Sequence, residues 1–252
     1  MVQSLARGIE ILLLLQKRES ATIVEIAEVL DVDKSTVSRL MSTLMQYDMV
    51  SINPSNKKYR LGFRLMYLGE GVKKDFNIVN VARPYIHMIC DEVKESVHLA
   101  TLGNRKMYIA DQILSHKPYN ISAQIGMIEP WHCSSVGKCL LAFKSQSYIE
   151  EIFHDYEFKK YTPNTITTYE ELKEELEKIR EQRYALDNEE FSQGVCCVAV
   201  PIFHYGRNVN SCLGISVPKE QMTKENIKKY VHCMKKYSRL ISEELGCESH
   251  LS

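Results

Sequence analysis

The stretch from Thr22 to Gly62 constrains the fold most, because helix starts, helix faces and a basic hairpin follow one another there in a fixed order. Thr22 and Glu25 have the spacing of a capping box ahead of Ile23, Ile26, Ala27 and Leu30, which fall on one face of a helix. Asp31, Val32 and Asp33 turn the chain, and Asp33 is placed to cap a second helix. There Val37, Leu40, Met41 and Leu44 recur at the helical period, which leaves Lys34, Ser35, Thr36, Ser38, Arg39, Ser42 and Thr43 facing outward. Val50 to Ile52 and Tyr59 to Leu61 then read as short strands around the turn-forming Asn53-Pro54-Ser55-Asn56, so Lys57, Lys58 and Arg60 lie on or beside a hairpin tip. This order is that of a winged helix-turn-helix, and it makes double-stranded operator DNA the first partner to consider.

Charge supports that reading locally rather than globally. The 252 residues carry 32 Lys or Arg against 32 Asp or Glu, yet residues 34–64 hold six basic side chains against the single acid Asp48. Positive charge is thus concentrated where phosphate contacts are needed. In the helix, Arg39 suits a bidentate contact to guanine, and Ser35, Thr36 and Ser38 suit bases or phosphates. Lys57, Lys58 and Arg60 suit the DNA backbone or the minor groove.

The length exceeds what a winged helix uses and favours two domains. A first helix at Ser4 to Lys17 completes a DNA-binding domain over 1–65. Residues 66–80, with Gly69, Gly71 and a polar Lys73-Lys74-Asp75 run, fit a linker helix, and 81–252 form an effector-binding domain. Helical patterns there cover Val81 to Glu95, Ser135 to Lys144, Tyr148 to Asp155, Tyr169 to Gln182 and Lys224 to Leu245. Strand patterns cover Val97 to Leu102, Lys106 to Ile113, Val195 to Phe203 and Ser211 to Val217, with turn pairs Gly103-Asn104 and Gly206-Arg207. Hairpin-linked strands flanked by helices predict an α+β fold with an antiparallel sheet. The apolar run Ile9 to Leu15 is interrupted by Glu10 and far shorter than the ~20 residues of a membrane span. With eight cysteines in apolar or helical contexts and no secretory pattern ahead of them, a reduced cytoplasm is the expected compartment.

Five segments, in order, resemble the IclR-type transcriptional regulators: Ser4-Leu5-Ala6-Arg7-Gly8-Ile9-Glu10-Ile11-Leu12, Lys34 to Leu40, Tyr59-Arg60-Leu61-Gly62, His132 to Ala142, and Tyr184 to Phe191 with Gly194 to Ala199. The resemblance implies a winged helix, a linker helix and a GAF-like effector domain, assembled as dimers or tetramers that repress or activate transcription, with repression favoured. It also implies an effector pocket lined by Ser135, Val136, Asp187, Val195, Cys197 and Ser216. Two positions depart from the commoner pattern: Cys196 stands where many relatives have a basic residue, and Ser216-Val217-Pro218 where Ser-Gly-Pro is frequent. The start of the Ser135 helix, with unpaired N–H groups, favours a small organic acid as effector.

Other chemistry is weaker. Ser135-Val136-Gly137-Lys138 spells S-x-x-K without the S-D-N or K-T-G that would accompany an acyl-enzyme, so Lys138 is expected to be structural. Cys196 and Cys197 must point to opposite faces of a strand, leaving one for any site. His132, Cys133 and the later cysteines lack metal-ligand spacing, so neither metal nor other cofactor is expected. Asp187 has the plainer reading of a turn cap, and Trp131 that of a core residue. An alternative function is a small-molecule-binding or catalytic domain whose winged helix makes protein contacts.

Overall fold

The computed structural model describes residues 2–75, 77–118 and 120–247. The chain separates into two compact units, Met1–Phe76 and Asn77–Ser252.

In the first unit, α1 (Gln3–Arg18), α2 (Ile23–Leu30) and α3 (Lys34–Gln46) enclose a core of Ile11, Leu15, Ala21, Ile26, Ala27, Val37, Met41 and Val50. The capping box forms as spaced: the Glu25 amide donates to the Thr22 hydroxyl at 3.3 Å, and the Thr22 amide to Glu25 Oε2 at 2.6 Å. Asp31 ends α2 in the left-handed region, and two residues later Asp33 starts α3. Strands β1 (Val50–Ile52) and β2 (Tyr59–Leu61) pair antiparallel, Ser51 opposite Arg60, and Ala21 extends the ladder through two backbone bonds with Tyr59. A Cβ on Gly62 would collide with the Asp48 carbonyl, so the wing closes only with glycine there. Helix α4 (Phe63–Asp75) follows at once. The segment 66–80 therefore runs through the end of α4 and the start of α5 (Asn77–Val93), and Phe76 between them lies outside the described residues.

In the second unit, β3 (Val97–Gly103), β4 (Lys106–Ile113), β5 (Ala185–Asn188), β6 (Val195–Phe203) and β7 (Val209–Pro218) form an antiparallel sheet in the order β4-β3-β7-β6-β5. The helices α6 (Ser135–Ala142) and α8 (Tyr169–Gln182) cover one face together with α7 (Gln146–Phe153), around Ala100, Val136, Leu140, Ala199 and Cys212. Helices α5 and α9 (Lys224–Glu244) pack on β3, β4, β6 and β7 from the other side. The alternation read from sequence supplies both faces, since β6 and β7 are buried along nearly their whole length. Strand β5 was not expected: four residues beside the acidic run Asn188-Glu189-Glu190 give too little pattern, and its pairing with β6 makes it a strand.

Between β4 and α6 the chain folds back along β4, where Gly126 and Met127 bond to the Ile109 backbone at 2.8 and 3.0 Å. This brings Glu129 to the start of α6. Among the described residues no helix is long and apolar enough to cross a membrane, and no group of side chains is arranged to hold a metal ion.

Candidate DNA-reading and effector sites

The outward face of α3 presents Lys34, Ser35, Ser38, Arg39, Ser42 and Thr43 to solvent, with Thr36 half-buried. Its first turn is tied down by Asp33, whose Oδ1 accepts from the Thr36 amide at 2.8 Å and whose two oxygens take the hydroxyl hydrogens of Ser35 and Thr36 at 2.5 and 2.7 Å. Those donors hold the Asp33 carboxyl well below the usual carboxylate range. The Arg39 carbonyl accepts from the Thr43 hydroxyl at 3.1 Å, while its exposed guanidinium has no hydrogen-bond partner among the described residues and is available. In the wing, the Asn53 side chain and backbone organise the turn through Ser55 and Lys57, and Arg60 Nε donates to Ser51 Oγ at 3.2 Å. The terminal Nη1 and Nη2 of exposed Arg60 have no hydrogen-bond partner among the described residues and can meet phosphate, beside exposed Lys57 and half-buried Lys58. Neutral hydroxyls and one Arg on a helix, with cations on a hairpin, can read a major groove while binding the backbone.

In the second unit, three of the sequence-chosen residues fall in one row across three strands: Asp187 on β5 is opposite Cys197 on β6, and Cys197 is opposite Ser216 on β7. Cys197 Sγ and Ser216 Oγ are 3.2 Å apart. The row lies on the face covered by α6, because Ala199, two residues along from Cys197, packs in that cluster. Ser135 is the buried first residue of α6, Val136 is buried in the apolar cluster, and Val195 is half-buried at the start of β6 opposite Pro218. Cys196 points away and donates to Asn188 Oδ1 at 3.6 Å, the opposite-face geometry expected for adjacent residues. Asp187 also caps its turn, Oδ1 accepting from the Glu190 and Phe191 amides at 2.7 and 3.4 Å. Burial nevertheless raises its carboxyl to about 7 against those bonds.

Glu129 and His98 were not singled out from sequence, and Cys133 was weighed there only as a metal ligand. Glu129 is raised to about 7 by burial, opposed by Ser134. Cys133 is fully buried, and its thiol is pushed far up by burial and by the charges of Asp187 and Glu190. His98 on β3 lies opposite Gly214 of β7, and a Cβ on Gly214 would collide with its ring. Its alternating strand was legible, but alternation does not say which face holds a site. Lys138 is structural: fully buried, its Nζ donates to both oxygens of Glu190 at 2.6 Å. His132 has both nitrogens engaged, with Tyr156 Oη at 2.7 Å and the Lys159 carbonyl at 3.0 Å. Trp131 packs in the apolar cluster.

The family description "IclR helix-turn-helix domain" matches residues 4–54, and "Bacterial transcriptional regulator IclR C-terminal" matches residues 71–243. The DNA-binding transcriptional repressor YiaJ of Escherichia coli (strain K12) is 29% identical over 97% of this chain and 88% of its own length. The crystal structure of the Thermotoga maritima IclR has a TM-score of 0.80 at 31% identity, covering 98% of this chain and 100% of that one. An IclR homolog from Microbacterium hydrocarbonoxydans, crystallised in complex with 4-hydroxybenzoate, shares the fold with a TM-score of 0.81 at 22% identity, over 97% of this chain and 100% of that one. The reading helix, the wing and the five-stranded sheet thus stand within a match that spans both units, and the chain belongs to the IclR family of bacterial transcriptional regulators, DNA-binding proteins rather than enzymes.

Proposed function

We propose that this protein is a cytoplasmic, ligand-controlled repressor in which residues 1–65 bind an operator, 81–252 bind a small organic acid and 66–80 link the two. Arg39, with Lys34, Ser35, Thr36, Ser38 and Ser42, reads the major groove, while Lys57, Lys58 and Arg60 hold phosphates. The effector occupies the α6-covered face at Ser135, Val136, Asp187, Val195, Cys197 and Ser216. The observation that carries this part is the Asp187–Cys197–Ser216 row beside the start of α6. Binding of 4-hydroxybenzoate by the Microbacterium homolog supports an acid of this size class, and the name of YiaJ supports repression.

Self-association supplies the second reading head. On α1, Leu5, Ile9 and Leu13 form an exposed apolar stripe, and on α4 Phe63, Met66 and Tyr67 are 84%, 67% and 71% exposed. A second copy covering these surfaces gives a two-fold pair of recognition helices and a pseudo-palindromic operator with half-sites about 34–36 Å apart. Selection of bound genomic fragments, followed by anisotropy titrations of wild type and Arg39→Ala at several salt concentrations, tests the proposal. A specific two-fold site lost in the variant supports it; sequence-indifferent binding, or equal operator affinity with and without effector, overturns it.

A further inference from the structure

An organic acid in the second unit needs a counter-charge, and the obvious cations are committed elsewhere. Lys138 gives its ammonium to Glu190, with Glu175 at 3.7 Å. His132 is bonded through both nitrogens, and Arg180 donates to the Ala142 carbonyl. Further titratable groups brought to this face are Asp187 from β5, Cys197 from β6, Cys212 from β7, Cys133 and Glu129 from the segment ahead of α6, Cys139 within it, and Tyr156 and Tyr169 packed on the same cluster. None of these can become a cation.

His98 can. It is 3% exposed, and its strand partner Gly214 places it on the same face, since Ala100, two residues along, packs in the α6 cluster. Gly214 lies one step along β7 from the Ser216 position in the side-chain alternation of that face. The imidazole occupies the space that a Cβ on Gly214 would need. Neither ring nitrogen has a hydrogen-bond partner among the described residues. The buried side-chain atoms sealed off without a partner among those residues are the Tyr148 hydroxyl and His204 Nε2. The His98 nitrogens are not among them, and the residue keeps 3% of its surface exposed. A buried, unpartnered imidazole beside a glycine that makes room for it is a donor waiting for an acceptor.

Resting on the effector reading above, we propose that His98 is the residue that grips the acidic group of the effector, taking up one proton from solvent as the carboxylate binds, so that an imidazolium–carboxylate pair forms where the free protein holds a neutral ring. In the free protein, burial holds the ring down to about 4, and no neighbouring charge raises it. An anion at hydrogen-bond distance supplies the missing term.

The test uses the full-length protein with its eight histidines labelled with carbon-13 at Cε1, and three probe acids: pyruvate, succinate and 4-hydroxybenzoate. One histidine resonance, absent in His98→Asn, is expected to stay at the neutral position between about pH 5.5 and 8 in the free protein and to move to the imidazolium position with a bound acid. His98→Asn is expected to weaken that acid about 10- to 100-fold and to flatten the pH dependence of binding. A probe acid that binds wild type and His98→Asn equally, or leaves the wild-type resonance neutral, overturns the assignment and leaves the effector reading standing. No binding of any probe to wild type that still binds its operator overturns both. If His98→Asn fails to fold, His98→Gln supplies the same assignment of the wild-type resonance.

Discussion

At the scale of residues, Arg39 and Lys57 belong to different kinds of contact. Arg39→Ala should lose about 1–3 kcal/mol of discrimination at a guanine and relax specificity there. Lys57→Ala should weaken all DNA alike and lower the salt slope by about one. Competition titrations with operator and scrambled DNA separate the two. In the interior, Lys138→Met leaves the Glu190 carboxylate unpaired beneath α8, and should cost about 3–5 kcal/mol of unit stability by denaturant unfolding. Adding Glu190→Gln should restore much of it. The pH profile follows from three buried groups. Asp187 and Glu129, ordinarily near 3.8 and 4.5, are raised to about 7, so their contribution is full below about pH 4 and is lost as the pH rises through 7. His98, ordinarily near 6.5 and held to about 4, contributes fully above 6.5 and less as the pH falls toward 4. Denaturation midpoints should therefore fall between about pH 6 and 8, and Asp187→Asn should flatten that limb.

Among the elements, the wing rests on close backbone approach. Gly62→Ala drives a Cβ into the Asp48 carbonyl, and should destabilise the first unit by about 1–3 kcal/mol while leaving the unfolding of the second unchanged in calorimetry. Where an element carries its own period or cap, its sequence was enough. The Thr22 capping box marks the start of α2, and the periods of Lys106 to Ile113 and Val195 to Phe203 end where β4 and β6 end. Strand β5 and the 124–129 segment were hidden because they owe their conformation to partners distant in sequence, β6 in one case and Ile109 in the other. The candidate site divides the same way. Asp187, Cys197 and Ser216 were legible through a motif resemblance, but that they share one row is a matter of register, which a sequence does not carry. His98 and Glu129 had no local signal, since burial and an empty hydrogen-bonding place become visible only once β7 and α6 are in position.

For the whole molecule, the exposed Leu5, Ile9 and Leu13 stripe predicts that Leu5→Glu with Leu13→Glu yields smaller species in analytical ultracentrifugation and weakens operator binding, with no change in the fold of the second unit by calorimetry. The total charge of zero predicts weak non-specific binding at physiological salt, held by the basic side chains of residues 34–64. The way Asp33 secures the first turn of α3 reaches as far as the operator itself. Because the hydroxyl hydrogens of Ser35 and Thr36 are spent on that carboxylate, these side chains meet DNA with lone pairs only. An oxygen that can only accept suits the exocyclic amino groups of adenine and cytosine and is poorly matched to guanine O6 or thymine O4. A second copy imposes the same grammar in mirror order, so the two arms of the operator should each carry an amino-bearing base at the corresponding step, outside the guanine read by Arg39.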